Sequence, residues 1–271
     1  MKVEMTSHYT FLNGSQVPSN DMSKLVFGGF AHFTSLQVRN RMAKGLDLHL
    51  ERLHQASIKL FNQALPHATI RSCIRQAIES GPADHSLSVT LFSPNGEFTA
   101  QSMNITPHVL VKTTDPLCGP VGPLRLMAIS HERPLAEIKH VGEIGKTYYL
   151  HQAIKQGFDD AVFVNKNGDL SEGTIWNLAF WDGNSVVWPK ARMLKGTMMS
   201  MIQRQLSQLN ITQRYESISI DNLADFKGAA LLNSLTPGVE VCEIGSTRFQ
   251  LSPQLLSILH RAYALELAEP V

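Results

Sequence analysis

The chain has 271 residues, 43% hydrophobic and 17% charged, with 24 basic residues against 23 acidic ones. That is ordinary globular composition, which excludes a disordered, collagenous or disulfide-stapled chain. A formal net charge of +1 gives no concentrated basic face, so no nucleic-acid partner is expected.

No run approaches the roughly 18 apolar residues of a membrane span. The opening MKVEMTSHYTFLNG has no apolar core of signal-peptide length, so the expected setting is cytoplasmic, away from membranes. Cys73, Cys118 and Cys242 lack CxxC spacing and read as isolated thiols. This length accommodates one large α/β unit or two modest domains.

In chain order, HFTSLQV (32–38) reads as extended. GLDLHLERLHQASIKLF (45–61) reads as a helix, because Leu46, Leu50, Leu53, Ser57, Leu60 and Phe61 recur at helical spacing. A second helix, ATIRSCIRQAIESG (68–81), carries Ile70, Cys73 or Ile74, Ala77 and Ile78 inward and stops at Gly81. HSLSVTLFSPNGEF (85–98) reads as a hairpin turning at Pro94-Asn95-Gly96, and HVLVKT (108–113) as another strand.

TTDPLCGPVGP (113–123) is dense in Pro and Gly. It suits a linker between two lobes, although a surface loop inside one domain reads nearly the same. The expected division is therefore an N-terminal lobe 1–112, a linker 113–123 and a larger C-terminal lobe 124–271. The second lobe opens with the strand LRLMAIS (124–130), followed by a helix over 146–157 capped by Gly157. AVFVN turns through Lys166-Asn167-Gly168-Asp169, and IWNLAFW turns through Asp182-Gly183-Asn184 into SVVW. GTMMSMIQRQLSQLN (196–210) is an amphipathic helix, AALLNSL (229–235) a buried strand, and Ser252-Pro253 opens the last helix. The whole reads as α+β, with antiparallel sheets and packed helices in two lobes.

No metal site is expected: the eleven histidines include neither HExxH nor paired Cys/His spacing. GxSxG, GxGxxG after a strand and a Walker loop are absent too. What remains is LAEIKHVGEIGKTYYLHQAIKQGFDDAVFVNKNGDLSEGTIWNLAFW (135–181). It resembles the class IV, or fold type IV, aminotransferase superfamily, whose enzymes use pyridoxal phosphate. LHLERLHQASIKL, WPKARMLKGTMM and LLNSLTPGVEV match further segments of that superfamily in the same order, so the resemblance covers about residues 28 to 250.

The resemblance implies pyridoxal 5'-phosphate as cofactor, amino acids and 2-keto acids as substrates, and a homodimer. Lys139, in Ile138-Lys139-His140, falls on the Schiff-base lysine and is the expected catalytic residue. A lysine beside apolar groups is desolvated, which frees its amine as a nucleophile. Lys146, Lys190 and Lys195 are rivals by type, but only Lys139 matches the spacing to Ser171-Glu172-Gly173-Thr174. Glu172 matches the carboxylate that pairs with the pyridine nitrogen, and Asn177 falls near the cofactor. Arg52 matches the phosphate-binding arginine, a role suited to a guanidinium fork. Gly196, Thr197 and Met198 open a helix whose first N–H groups suit an anion. Here Gly-Thr-Met stands where Gly-Ile-Thr is commonest, so Thr197 or Ser234 is the substitute hydroxyl. Met198, Met199 and Met201 otherwise read as core packing.

Two departures bear on substrate. Branched-chain members carry a tyrosine five residues after the Schiff-base lysine, and this chain has Ile144. FGGFAHFTSLQV also departs from the common G-D-G-x-F-E-T form. Ile138-Lys139-His140, Gly196-Thr197-Met198 and Asn233-Ser234-Leu235-Thr236-Pro237 look more like the aminodeoxychorismate lyase branch. The expected function is an aminotransferase acting through a Lys139 Schiff base, with 4-amino-4-deoxychorismate lyase, releasing pyruvate and p-aminobenzoate, as the alternative. A cofactor carrier without turnover is disfavoured, because storage needs no carboxylate at the ring nitrogen.

Overall fold

The structure is a computed structural model that describes residues 10–16, 29–95 and 97–271. Most of the opening segment, Phe27-Gly28 of the FGGF stretch and Gly96 of the expected turn lie outside the described residues. The chain divides into two compact units: Met1–Leu117 with Ile138–Gly142 and Leu267–Val271, and Cys118–Glu137 with Glu143–Glu266. The segment Ile138–Gly142, which holds Lys139, groups with the first unit. The reason is main-chain pairing. Phe33 N–H donates to the Lys139 carbonyl at 2.8 Å, and Val141 N–H to that of Ala31 at 2.9 Å.

The first unit is one antiparallel sheet with two helices. Its strands are β1 (Thr10–Leu12), β2 (Ser15–Gln16), β3 (Ala31–Arg39), β4 (Met42–Lys44), β5 (His85–Phe92), β6 (His108–Thr114) and the late β16 (Ala268–Pro270). Their order is β16-β4-β3-β5-β6-β1-β2. Helix α1 (Leu46–Phe61) buries Leu46, His49, Leu50, Leu53, Ser57 and Phe61, a stripe at three- and four-residue spacing. Helix α2 (His67–Glu79) buries Ile70, Cys73, Ile74, Ala77 and Ile78. Together they cover a core of Leu36, Val38, Leu87, Val89, Val109 and Val111. The hairpin expected over 85–98 is absent. The partner of β5 is β6, ten residues beyond Phe98, and Phe98 itself is exposed.

The second unit holds β7 (Leu124–Ser130), α3 (Ile144–Lys155), β8 (Asp160–Val164), β9 (Leu170–Gly173), β10 (Asn177–Trp181), β11 (Val186–Pro189), α4 (Thr197–Gln208), β12 (Gln213–Glu216), β13 (Gly228–Asn233), β14 (Thr236–Ile244), β15 (Thr247–Arg248) and α5 (Pro253–Leu265). Its order is β12-β11-β10-β13-β14-β7-β8-β9, with β15 on β14. Both turns read from the sequence form hairpins, β8–β9 and β10–β11. The sheet is mixed rather than wholly antiparallel, since β7–β8, β14–β7 and β11–β12 run parallel. Helix α3 crosses between the parallel β7 and β8, as such a pair requires. Its Ala153 packs with Ala161 and Phe163, and Gly157 follows it at φ 80°, a left-handed turn that suits glycine. No helix among the described residues is long and apolar enough to cross a membrane.

Candidate active site

In the first unit the expected nucleophile lies against β3. His140 bridges to His32, Ile138 is buried, and Lys139 Nζ sits 4.6 Å from the Phe33 ring centroid. An ammonium over an aromatic face is held by the ring quadrupole while shedding water. The rival lysines differ. Lys146 is buried with Nζ 2.5 Å from Glu143, whereas Lys190 and Lys195 are exposed.

On the other face of β3, two buried polar pairs join the strand to α1. His32 Nε2 meets Ser57 Oγ at 2.9 Å, and Thr34 Oγ1 meets His49 Nδ1 at 2.6 Å. Burial pushes both imidazoles down to about 3, and the charge on Arg52 adds to the effect on His49. Both rings are therefore neutral near pH 7. Arg52 follows His49 by three residues, on the same side of α1. Burial lowers its half-buried guanidinium to about 10.

In the second unit Glu172 lies in β9, 4% exposed. Arg133 Nε donates to its Oε1 at 2.6 Å, and Leu194 N–H approaches Oε2 at 3.4 Å. Burial raises this carboxyl, and the charges of Arg133 and then Lys146 oppose the rise. The Glu172 hairpin is pinned by Asp160, which accepts from Thr174 Oγ1 at 2.7 Å, Trp176 Nε1 at 2.8 Å and Ala161 N–H at 2.7 Å.

Asn177 acts on the loop before α4. Its Nδ2 donates to the Leu194 carbonyl at 2.7 Å, and its Oδ1 accepts from Gly196 N–H at 2.9 Å. A Cβ on residue 196 would collide with that oxygen, so only glycine leaves the amide in place. The first helical bond of α4 runs from Ser200 N–H to the Gly196 carbonyl, so the N–H groups of Thr197, Met198 and Met199 precede it. Thr197 is 3% exposed, and its hydroxyl has no hydrogen-bond partner. Met198, Met199 and Met201 are core residues. Ser234 is half-buried in the β13–β14 turn, which Asn233 Oδ1 closes by accepting from Leu235 N–H and Thr236 N–H.

A family model for amino-transferase class IV matches residues 31–244, which span both groups of residues. The chain belongs to the class IV aminotransferase family. A search of curated protein sequences gives no significant match. Among solved structures, the chain is similar to a branched-chain aminotransferase from Thermoproteus uzoniensis with norvaline, at 16% identity, TM-score 0.84, over 94% of this chain and 93% of that one. It is similar to a protein assigned as 4-amino-4-deoxychorismate lyase from Legionella pneumophila, at 19% identity, TM-score 0.80, over 89% and 92%. A branched-chain amino acid aminotransferase from T.th. with pyridoxamine 5'-phosphate matches at 15% identity, TM-score 0.78, over 94% and 92%. At such identities the likeness establishes the fold.

For a class IV aminotransferase the residues present fit pyridoxal phosphate. The orphaned Thr197 hydroxyl and the N–H groups that open α4 are what a phosphate would satisfy. Glu172 has the carboxylate chemistry that a pyridine nitrogen requires. Residues that carried no sequence signal are Arg133, Asp160 and the Thr34–His49 pair. A lone Arg, Asp or Thr is ordinarily a surface or turn residue, and only burial distinguishes these. Ile144, in the place of the branched-chain tyrosine, opens α3 and is largely exposed.

Proposed function

We propose that the protein is a pyridoxal-phosphate-dependent aminotransferase that moves an amino group between an amino acid and a 2-keto acid. The observation that carries this reading is the buried Glu172 carboxylate, ion-paired on one oxygen only, within a chain of this family. When bound, the cofactor supplies an aldehyde for the amine and a ring that withdraws electrons from the substrate's α-carbon.

The side chains divide that work. Lys139 Nζ would hold the cofactor through its aldehyde and, as a free amine, would take the substrate's α-proton and return it. The Phe33 ring keeps that amine close to an apolar surface. Glu172 would offer Oε2 to the ring nitrogen and so support the ring's electron demand. In the second unit the Thr197 hydroxyl and the first N–H groups of α4 would hold the phosphate, on a loop that Asn177 fixes, and Arg52 of the first unit is the guanidinium suited to the same anion. Met198 donates from its backbone, and Ser234 lines the late turn.

The lyase reading keeps support from the Asn233 turn, in which the side chain itself closes Asn-Ser-Leu-Thr. Both readings use Lys139. Borohydride reduction of the holoenzyme and peptide mapping should label Lys139; label on Lys146 or Lys195 would overturn the assignment. Amino donors offered singly should shift the cofactor's absorbance to that of pyridoxamine phosphate. Pyruvate and p-aminobenzoate from aminodeoxychorismate, without that shift, would select the lyase.

A further inference from the structure

Glu172 has one oxygen committed and one nearly idle. Arg133 Nε takes Oε1 at 2.6 Å, while Oε2 has only the 3.4 Å approach of Leu194 N–H. The guanidinium is itself locked, with Nη1 on Glu143 and Nη2 on the Ala136 carbonyl, and its side chain is 3% exposed. Behind it, Lys146 Nζ holds Glu143 at 2.5 Å. Lys146, Glu143, Arg133 and Glu172 thus form a chain of alternating charge that sums to zero, buried except at the half-buried Glu143.

We propose that Arg133, backed by Glu143 and Lys146, is a positioning residue that holds Glu172 as a carboxylate and leaves its Oε2 for the cofactor's ring nitrogen. This rests on the pyridoxal phosphate reading given above. A carboxyl buried this deeply favours its neutral form unless a cation sits against it. A neutral Glu172 would present its proton to the ring nitrogen rather than accept one, and the ring would lose its pull on substrate electrons. The charged groups that face Glu172 are Arg133 and Lys146, which favour its ionised form, and Glu143, which opposes it. Removal of the arginine leaves burial and Glu143 opposed only by the more distant Lys146.

The planar fork also sets direction. Nε can meet Oε1 in line only while Nη1 and Nη2 stay on Glu143 and Ala136, so the carboxylate plane is fixed through the guanidinium plane. A lysine would restore charge without that geometry. Arg133→Lys should therefore recover the ionisation of Glu172 but only part of the catalytic rate, whereas Arg133→Met should lose both.

The first measurement uses protein without cofactor. Carbon-13 carboxyl resonances of glutamate-labelled wild type are titrated, with Glu172 assigned by its loss in Glu172→Gln. In Arg133→Met the titration of Glu172 should move up from its wild-type position. An unmoved titration would overturn the proposal. Should Arg133→Met fail to fold, Lys146→Met removes only the far cation and should move the titration in the same direction by less; no movement there overturns the proposal equally. The second measurement uses holoenzyme. Arg133→Met should lower kcat about 10- to 100-fold, the scale of one lost charged hydrogen bond, with KM nearly unchanged and the cofactor band altered in its pH dependence. Loss confined to KM would refute the positioning role. Absence of a Lys139 borohydride label would sink the cofactor reading while leaving the titration without cofactor intact, so the two failures are distinguishable.

Discussion

Replacement of Asp160 by Asn tests whether the Glu172 hairpin is anchored as the structure shows. Asp160 Oδ1 accepts from Thr174 Oγ1 and Ala161 N–H, both at 2.7 Å, and Oδ2 accepts from Trp176 Nε1 at 2.8 Å. All the side chains involved are buried. An asparagine has one acceptor oxygen, which can keep the Oδ1 pair, so its amide nitrogen must face the indole N–H donor to donor. The change removes one charge-assisted hydrogen bond, about 1.5–3 kcal/mol, and leaves a buried donor unsatisfied, about 1–3 kcal/mol. These overlap, and a total near 2–4 kcal/mol is expected. Urea unfolding followed by circular dichroism and tryptophan fluorescence measures it. The double variant Asp160→Asn/Trp176→Phe removes the stranded donor. It should be more stable than the sum of the single changes by about 1 kcal/mol, a coupling of the size seen between contacting residues. Asp160→Asn within about 0.5 kcal/mol of wild type, the scale of an ordinary surface substitution, would show that the carboxylate does not carry the hairpin.

Gly196→Ala should displace the Asn177 amide from Gly196 N–H and the Leu194 carbonyl, since the added Cβ would collide with Oδ1. Two hydrogen bonds at about 1 kcal/mol each predict a lower melting temperature and weaker cofactor binding; an unchanged melting temperature would refute this. Arg52→Ala should weaken cofactor affinity by about one to two decades in equilibrium dialysis, while the saturated enzyme keeps most of its rate; unchanged affinity would make Arg52 a structural charge. His32 and His49 sit at about 3, below their ordinary 6.5, so the unfolded chain takes up protons that the folded chain refuses. Their stabilisation is full above pH 6.5 and falls by about 1.4 kcal/mol per pH unit for each ring as pH drops toward 3. In urea midpoints measured between pH 4 and 7, His49→Gln should flatten that decline, and an unchanged slope would show that His49 is not buried neutral.

Local sequence was legible where one periodicity dominated. The stripe of α1, with Leu46, Leu50, Leu53 and Phe61 at helical spacing, requires an apolar sheet beneath it whatever the topology. The turns at 166–169 and 182–184 join strands adjacent in space, so a short-range signal sufficed. The 94–96 turn failed for the converse reason. The neighbour of β5 is β6, and Pro-Asn-Gly punctuation cannot tell a tight hairpin from the start of a longer excursion.

By itself, the sequence determined the α+β class, the order of the family's segments and the residue types able to hold a cofactor. Those features depend on spacing along one strand of chain. Tertiary structure alone decided the unit to which Lys139 belongs, because hydrogen bonds to Ala31 and Phe33, more than a hundred residues away, draw Ile138–Gly142 there. It also decided which charges are buried. Arg133, Asp160 and Lys146 are ordinary polar letters in the sequence, and they matter because folding removes water from them and leaves each only the partners the fold supplies.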